Sequence, residues 1–173
     1  MALFGWLDDN KVKYAPVDQN KRAEFYDGKI KSFDLIIQPE KGKKILAEVK
    51  GRKFSGTDIT KSSLQCWVTL EDVKGLAGWQ KIFGDDFLPY LIFVYDIEKL
   101  DVETDIFEIY PYRNKNFVFI MISLDDFAAD MAIRSPKWKT MTLSSIIFRK
   151  KSKGIGTLLK QKFCDKTTID ESC

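Results

Sequence analysis

The chain has 173 residues, 45% of them apolar and 31% charged, so it can bury a core, and disorder over most of its length is excluded. Its formal charge of +3 permits a polyanionic partner without arguing for one. It contains no histidine, which excludes Ser-His-Asp and Cys-His catalysis, histidine-zinc hydrolases and any nuclease that relies on a histidine base.

Residues 3–10 carry Leu3, Phe4 and Leu7 at helical spacing and read as the end of a helix. Pro16 disfavours helix, so residues 14–17 are expected to be extended. Residues 20–25 read as a helical turn closed by Asp27-Gly28. Two strands follow. Residues 32–38 (SFDLIIQ) alternate Phe33, Leu35 and Ile37 against Asp34, Ile36 and Gln38. Residues 44–50 (KILAEVK) alternate Ile45, Ala47 and Val49 against Leu46, Glu48 and Lys50. The link PEKGK has turn composition, so a hairpin is expected. Residues 55–63 are polar and loop-like.

Over Leu70–Phe83, apolar Leu70, Val73, Leu76, Trp79 and Phe83 recur in steps of three and four, which predicts a helix. Glu71 and Asp72 then fall in its first turn, where acids suit the helix dipole. Residues 89–95 (PYLIFVY) are almost continuously apolar and read as a central strand buried on both faces. Residues 106–110 and 116–123 are two more strands around a turn at 112–115, and Ser123 is placed to cap a short helix. Residues 135–149 read as irregular, with a short helix or strand near 143–148, and the last twenty or so residues are polar, basic and expected to fray. The order implies a mixed sheet with helices on its faces, in one domain over residues 1–150 with a basic tail over 151–173.

The candidate chemistry lies on the hairpin. Period two puts Glu48 and Lys50 on one face of their strand, and an antiparallel partner brings Asp34 beside them. Two carboxylates and the Val49 carbonyl are hard oxygen ligands suited to Mg²⁺ or Mn²⁺. Lys50 would orient or deprotonate an attacking water and support developing negative charge. Gly51 leaves room for a phosphate, and Arg52 and Lys53 are placed to hold a phosphodiester backbone. The same residues are compatible with a strand face on which Glu48 and Lys50 only pair with each other. Basic residues gather around this motif (Lys41, Lys43, Lys44) and again from Arg149 to Lys162, with an acidic stretch over residues 96–108 between them.

The layout FDLII, PEKGK, ILAEVKGRK resembles the core of the PD-(D/E)xK nuclease superfamily. The ordered blocks YAPVDQNKRA, KSFDLII, AEVKGRKF, WVTLEDVKGLAGWQKIFG and RSPKW, over about residues 4–148, are similar to the bacterial HYExAFE family. The resemblance implies an α/β (mixed α+β) fold, a restriction-endonuclease-like mixed β-sheet flanked by helices. It implies a Mg²⁺- or Mn²⁺-dependent nuclease that hydrolyses DNA, with Asp34 and Glu48 on the metal and Lys50 on the water. A homodimer is one assembly it allows, since many nucleases of this fold work as dimers. By likeness to RecB-like members, Gln80 on the following helix helps fix the site, although it also reads as a surface residue beside Trp79.

Many members complete the metal site with a glutamate on the first helix. Gly5 stands where the final glutamate of the family motif would fall, its His, Tyr and first Glu are not in this sequence, and Glu24 is the nearby substitute. The alternative is therefore a catalytically impaired nucleic-acid-binding module on the same fold. Trp67 and Trp79 read as core residues or as base-stacking platforms. The loop from Arg134 to Trp138 reads either as a phosphate contact or as packing of Trp138 on the sheet. Cys66, Cys164 and Cys173 lack ligand spacing and point to a reducing, cytoplasmic setting. No signal peptide is expected, and the apolar run at 91–94 is too short to span a membrane.

Overall fold

The computed structural model describes residues 1–18, 24–25, 28–59, 64–99 and 107–159. The first half of the chain forms α1 (Ala2–Asp9), β1 (Lys13–Pro16), β2 (Glu24–Phe25), β3 (Gly28–Lys29), β4 (Leu35–Gln38), β5 (Lys44–Phe54), β6 (Val68–Thr69) and α2 (Leu70–Phe83). The second half forms β7 (Phe87–Ile97), β8 (Ile109–Tyr112), β9 (Lys115–Ser123), α3 (Leu124–Asp130), β10 (Ala132–Ser135), β11 (Thr140–Thr142), α4 (Ser145–Lys151), β12 (Lys153–Gly154) and α5 (Ile155–Leu159).

The main sheet runs β1-β4-β5-β7-β9-β12, with β8 also on β9. β5 and β7 are parallel, joined through α2, and the other pairings in this sheet are antiparallel. β7 is central because its side chains are apolar on both faces. Leu91, Phe93 and Tyr95 enter one core cluster and Ile92 and Val94 the other. The first cluster packs under α2, α3 and α4 through Val73, Leu76, Phe127 and Phe148. The second packs under α1 and α5 through Leu3, Trp6, Leu7, Ile155 and Leu159. A small sheet, β10-β11-β6, lies beside the start of α2.

The sequence reading meets the structure closely at α2, whose bounds coincide, and at β9, while β8 of the same hairpin runs over Ile109–Tyr112 and not from residue 106 to 110. There Arg113 and Asn114 form a two-residue loop with φ of 47° and 59°, both left-handed, as such tight loops require. Ser123 caps α3 by accepting from the Asp126 amide at 3.1 Å.

Three expectations change. Phe33 does not share a side with Leu35 and Ile37: it packs under α2 against Trp79, and they pack under α1. The reason is that β4 starts only at Leu35, and residues 31–34 approach it as non-strand chain that does not alternate. Glu24–Phe25 is extended and pairs with Gly28–Lys29, so these residues are not a helical turn. Beyond residue 150, β12 pairs with β9, and Ile155 and Leu159 are buried, so residues 153–159 belong to the folded unit. Residues 20–23, Asp27, 60–63, Ile106 and 160–173, on which other expectations fell, lie outside the described residues. Among the described residues, no helix is long and apolar enough to cross a membrane.

Ile155 tests the C-terminal segment. Its truncation in Ile155→Ala is expected to cost about 2–4 kcal/mol in urea unfolding, as for other buried aliphatic side chains. A cost near zero would mean that the segment only rests on the surface.

Candidate active site

The position of Asp34 follows from the register beside it. Leu35 faces Ala47, and the Asp34 amide donates to the Ala47 carbonyl at 3.0 Å. The Asp34 carboxylate then turns to β5, where the Val49 amide donates to Oδ2 at 2.6 Å. Leu46 lies in the cluster under α2, so strand alternation sends Glu48, Lys50 and Arg52 to the same side. The three predicted residues thus converge on one cleft of about 720 Å³, walled by residues 30–34, β5 and the first turns of α2.

Two residues that the sequence reading did not select complete this cluster. Asp72 is only 2% exposed, and its carboxylate meets both lysines of the site. Lys50 Nζ lies 2.7 Å from Glu48 Oε1 and 2.9 Å from Asp72 Oδ2. Lys31 Nζ lies 3.3 Å from Glu48 Oε1 and donates a short hydrogen bond to Asp72 Oδ1. The placement of Asp72 is local in origin. Thr69 caps α2 by accepting from the Asp72 amide at 3.1 Å, and Asp72 Oδ2 accepts from the Thr69 amide at 2.8 Å. This reciprocal cap fixes the carboxylate at the positive end of the helix. The spacing Thr69-x-x-Asp72 was the visible signal for the cap, but nothing in it says that the acid is buried in a site.

Lys31 is delivered by α2. Its carbonyl accepts from Trp79 Nε1 at 2.9 Å, and a Cβ on Gly75 would stand 2.8 Å from that same oxygen. Only glycine at position 75 lets the segment lie so close to the helix.

The charges are strongly coupled. Burial pushes the Glu48 carboxyl up, Lys50 pulls it down, and the fields of Asp34 and Asp72 help leave it above the usual carboxylate range. Burial opposes ionisation of Asp72 too. Hydrogen bonds from Lys31, Lys50 and the Thr69 backbone outweigh it and hold that carboxyl well below the usual range. Burial lowers Lys31, but its bond to Asp72 and the fields of Glu48 and Asp72 prevail, and its pKa is raised. With Glu71 and Lys74, which also line the cleft, acids outnumber lysines by one around this site. A further cation therefore meets net negative charge. The donor set suits Mg²⁺, which takes one or two carboxylates and otherwise keeps waters and substrate oxygens. Among the described residues, no group of three or more His, Cys, Asp or Glu side chains is arranged as a protein-only cage.

The remaining candidates separate. Val49 lines the cleft. Gln80 is on α2, about 12 Å along the helix from Asp72 at 1.5 Å per residue, and does not line the cleft. Arg52 shares the face of Lys50 but is half-buried, its guanidinium 4.1 Å from the Trp67 ring centre and bonded to the carbonyls of Gly51 and Trp67. Lys53 is exposed on the other side of β5 and pairs with Glu98 at 3.6 Å. Trp79 packs on Phe33 and Phe83 as part of the core margin. Gly5 faces Tyr110 and Tyr112, with an added Cβ meeting the Tyr112 ring at 2.9 Å, on the α1 side of the sheet. A side chain at position 5 therefore does not point into the cleft. Glu24 is in β2, and its side chain lies outside the description.

No family model and no curated protein matches the chain. A solved structure does: Hjc, a Holliday junction resolvase from the archaeal hyperthermophile Archaeoglobus fulgidus. The TM-score is 0.52 at 11% identity, over 91% of this chain and 93% of that one. The fold is restriction-endonuclease-like. At this identity the likeness speaks for architecture, and the residues of the cleft stand on their own geometry.

The buried carboxylate gives a stability prediction. A depressed folded pKa means that ionised Asp72 stabilises the fold fully above its unfolded value near 3.9 and progressively less as pH falls towards the folded value. Asp72→Asn is expected to cost about 3 kcal/mol at neutral pH, because Lys31 and Lys50 lose a buried counter-charge. The gap to wild type should narrow below about pH 4, as urea unfolding at several pH values would read. A gap independent of pH would remove the charge argument.

Proposed function

We propose that this protein is a metal-dependent nuclease of the PD-(D/E)xK type that hydrolyses phosphodiester bonds in DNA. The observation that carries the reading is the convergence of Asp34, Glu48 and Lys50 in one cleft, Asp34 immediately before β4 and the other two on the adjoining β5 of a restriction-endonuclease-like sheet. Asp34 and Glu48 would hold Mg²⁺ or Mn²⁺, with the Val49 carbonyl as a third oxygen. When bound, the cation neutralises charge on the phosphate and lowers the pKa of a water. Lys50 would orient an attacking water and donate to the charge that develops on the phosphate. Asp72 and Glu48 grip Lys50 from two sides, so its ammonium is positioned before substrate arrives. Kinship with the HYExAFE family is supported by the ordered sequence blocks. A reducing cytoplasm and a homodimer belong to the same reading, and Cys66 is a free buried thiol in keeping with the first.

A second reading is favoured by one observation. Lys31 and Lys50 both already bond Glu48, so the carboxylate that would bind the cation is neutralised within the chain. In that reading the protein binds DNA without cutting it.

Cleavage of plasmid and branched DNA separates the two. Mg²⁺ or Mn²⁺ should support cutting, EDTA should abolish it, and Lys50→Ala or Asp34→Asn should reduce it by about 10²-fold or more. Equal activity in Lys50→Ala would sink the assignment, and DNA binding with no cutting by the wild type would establish the second reading. The raised Glu48 pKa adds a pH signature. Protons compete with the cation, so Mn²⁺ affinity by calorimetry should climb with pH through a point above the ordinary glutamate value near 4.3.

A further inference from the structure

Between α3 and α4 the chain makes a short hairpin, β10 to β11, with an unusual surface. Its turn is closed by the Lys139 amide donating to the Pro136 carbonyl at 3.2 Å, with Lys139 left-handed at φ 47°. Trp138 at this turn is 69% exposed and Ile133 is 68% exposed. The indole therefore does not pack on the sheet. Leaving it in water forgoes one of the largest hydrophobic gains a side chain offers. Arg134, Lys137 and Lys139 around it are exposed, and among the described residues none of them pairs with a carboxylate. Lys137 Nζ sits 5.4 Å from the Trp138 ring centre.

This surface is joined rigidly to the cleft. Thr140 and Met141 of β11 pair with Thr69 and Val68 of β6, and the Leu70 amide donates to the Lys139 carbonyl at 2.8 Å. Thr69 is also the cap that sets Asp72. A second link runs through Trp67, whose ring centre lies 4.1 Å from the guanidinium of Arg52 and 5.1 Å from that of Arg134. Arg52 comes from the strand that carries Glu48 and Lys50, and Arg134 comes from the hairpin.

We propose that the hairpin over residues 132–142 holds a single strand of nucleic acid where it leaves a duplex, with Trp138 stacked on an exposed base and Arg134, Lys137 and Lys139 on the phosphates. The charge is complementary to a polyanion and lacks the acids that a mixed protein interface would offer. Lysines and arginines alone would serve a duplex backbone. The exposed indole has a use only where a base has lost its stacking neighbour and shows a free π-face. The inference deepens the nuclease reading and rests on it only for what lies next door: a strand held here would run beside the cleft of Asp34, Glu48 and Lys50.

The test is anisotropy with the full chain in EDTA, on a blunt DNA duplex and on the same duplex bearing a single-stranded thymidine arm. Wild type should prefer the arm-bearing duplex. Trp138→Ala should weaken that complex about tenfold, as loss of one stacked base does, and leave the blunt duplex unchanged. Trp138→Phe should retain most of the preference. Unchanged melting by circular dichroism is expected, since the side chain is exposed. The proposal is overturned if Trp138→Ala binds both duplexes as wild type does, or loses both equally. Self-association that depends on Trp138, with DNA binding unaltered, would also overturn it and make the hairpin a contact between copies. Working without metal keeps the two readings apart. Arm-selective binding with no cleavage under any metal would sustain the hairpin and remove the nuclease, whereas full cleavage by Trp138→Ala with no loss of arm binding would do the reverse.

Discussion

A carboxylate taken out of water must find counter-charge or take up a proton, and in this chain Glu48 and Asp72 have both been taken out of water. The solution is a closed set of contacts in which Lys50 and Lys31 each touch both acids. Each lysine comes from a different part of the chain, one from β5 and one from the segment before β4. Asp72 comes from α2. The set thus fixes the positions of three segments relative to one another around the cleft.

The division of the sheet into two faces explains which groups take part. On β5, Ile45 and Ala47 are committed to the cluster under α1, so the alternate positions are the only ones free to carry charge toward α2. A one-residue slip against β4 would send Glu48 and Lys50 into the apolar layer under α1, which they could enter only at a cost of several kcal/mol. Register and site chemistry therefore protect each other. The same division keeps α1 from contributing. The Gly5 position points at Tyr110 and Tyr112, whereas Asp72 comes from the α2 layer and meets the two lysines of the cleft.

Much of this was legible because it is periodic. The alternation in KILAEVK places Glu48 and Lys50 on one face, the three- and four-residue steps bound α2, and the turn composition of PEKGK makes the hairpin. What escaped depends on contacts between distant segments. Asp72 reads as an ordinary first-turn acid, and is one by its cap, but its burial depends on where α2 lands on β5. Lys31 lies in non-strand chain with no period at all, and its place is set by Gly75 and Trp79 one helical turn apart on α2. Phe33 lies on the side opposite to the one its alternation with Leu35 and Ile37 predicts for the same reason: alternation begins only where pairing begins. The segment 153–159 looked like tail because it is short and follows a basic run, yet a two-residue pairing with β9 and two buried aliphatics are enough to hold it.

Arg52 shows how one strand serves two surfaces. Glu48, Lys50 and Arg52 succeed one another on the same face, yet their environments diverge within about 14 Å of strand. Glu48 and Lys50 end among carboxylates, whereas Arg52 ends between rings, with Trp67 at 4.1 Å and Phe93 at 6.0 Å. Burial and the nearby Arg134 guanidinium lower its pKa against the opposing field of Asp72, and the two guanidiniums together make this corner positive. The cleft is net negative and the Arg52–Trp67–Arg134 corner is positive, and they are adjacent. A polyanion drawn to the positive corner would meet the carboxylates only if something cancelled their repulsion, which is what a divalent cation of the proposed function would do. Under the proposed function the two requirements are coupled: a strand attracted by the arginines and the hairpin would be admitted to Asp34 and Glu48 only together with metal.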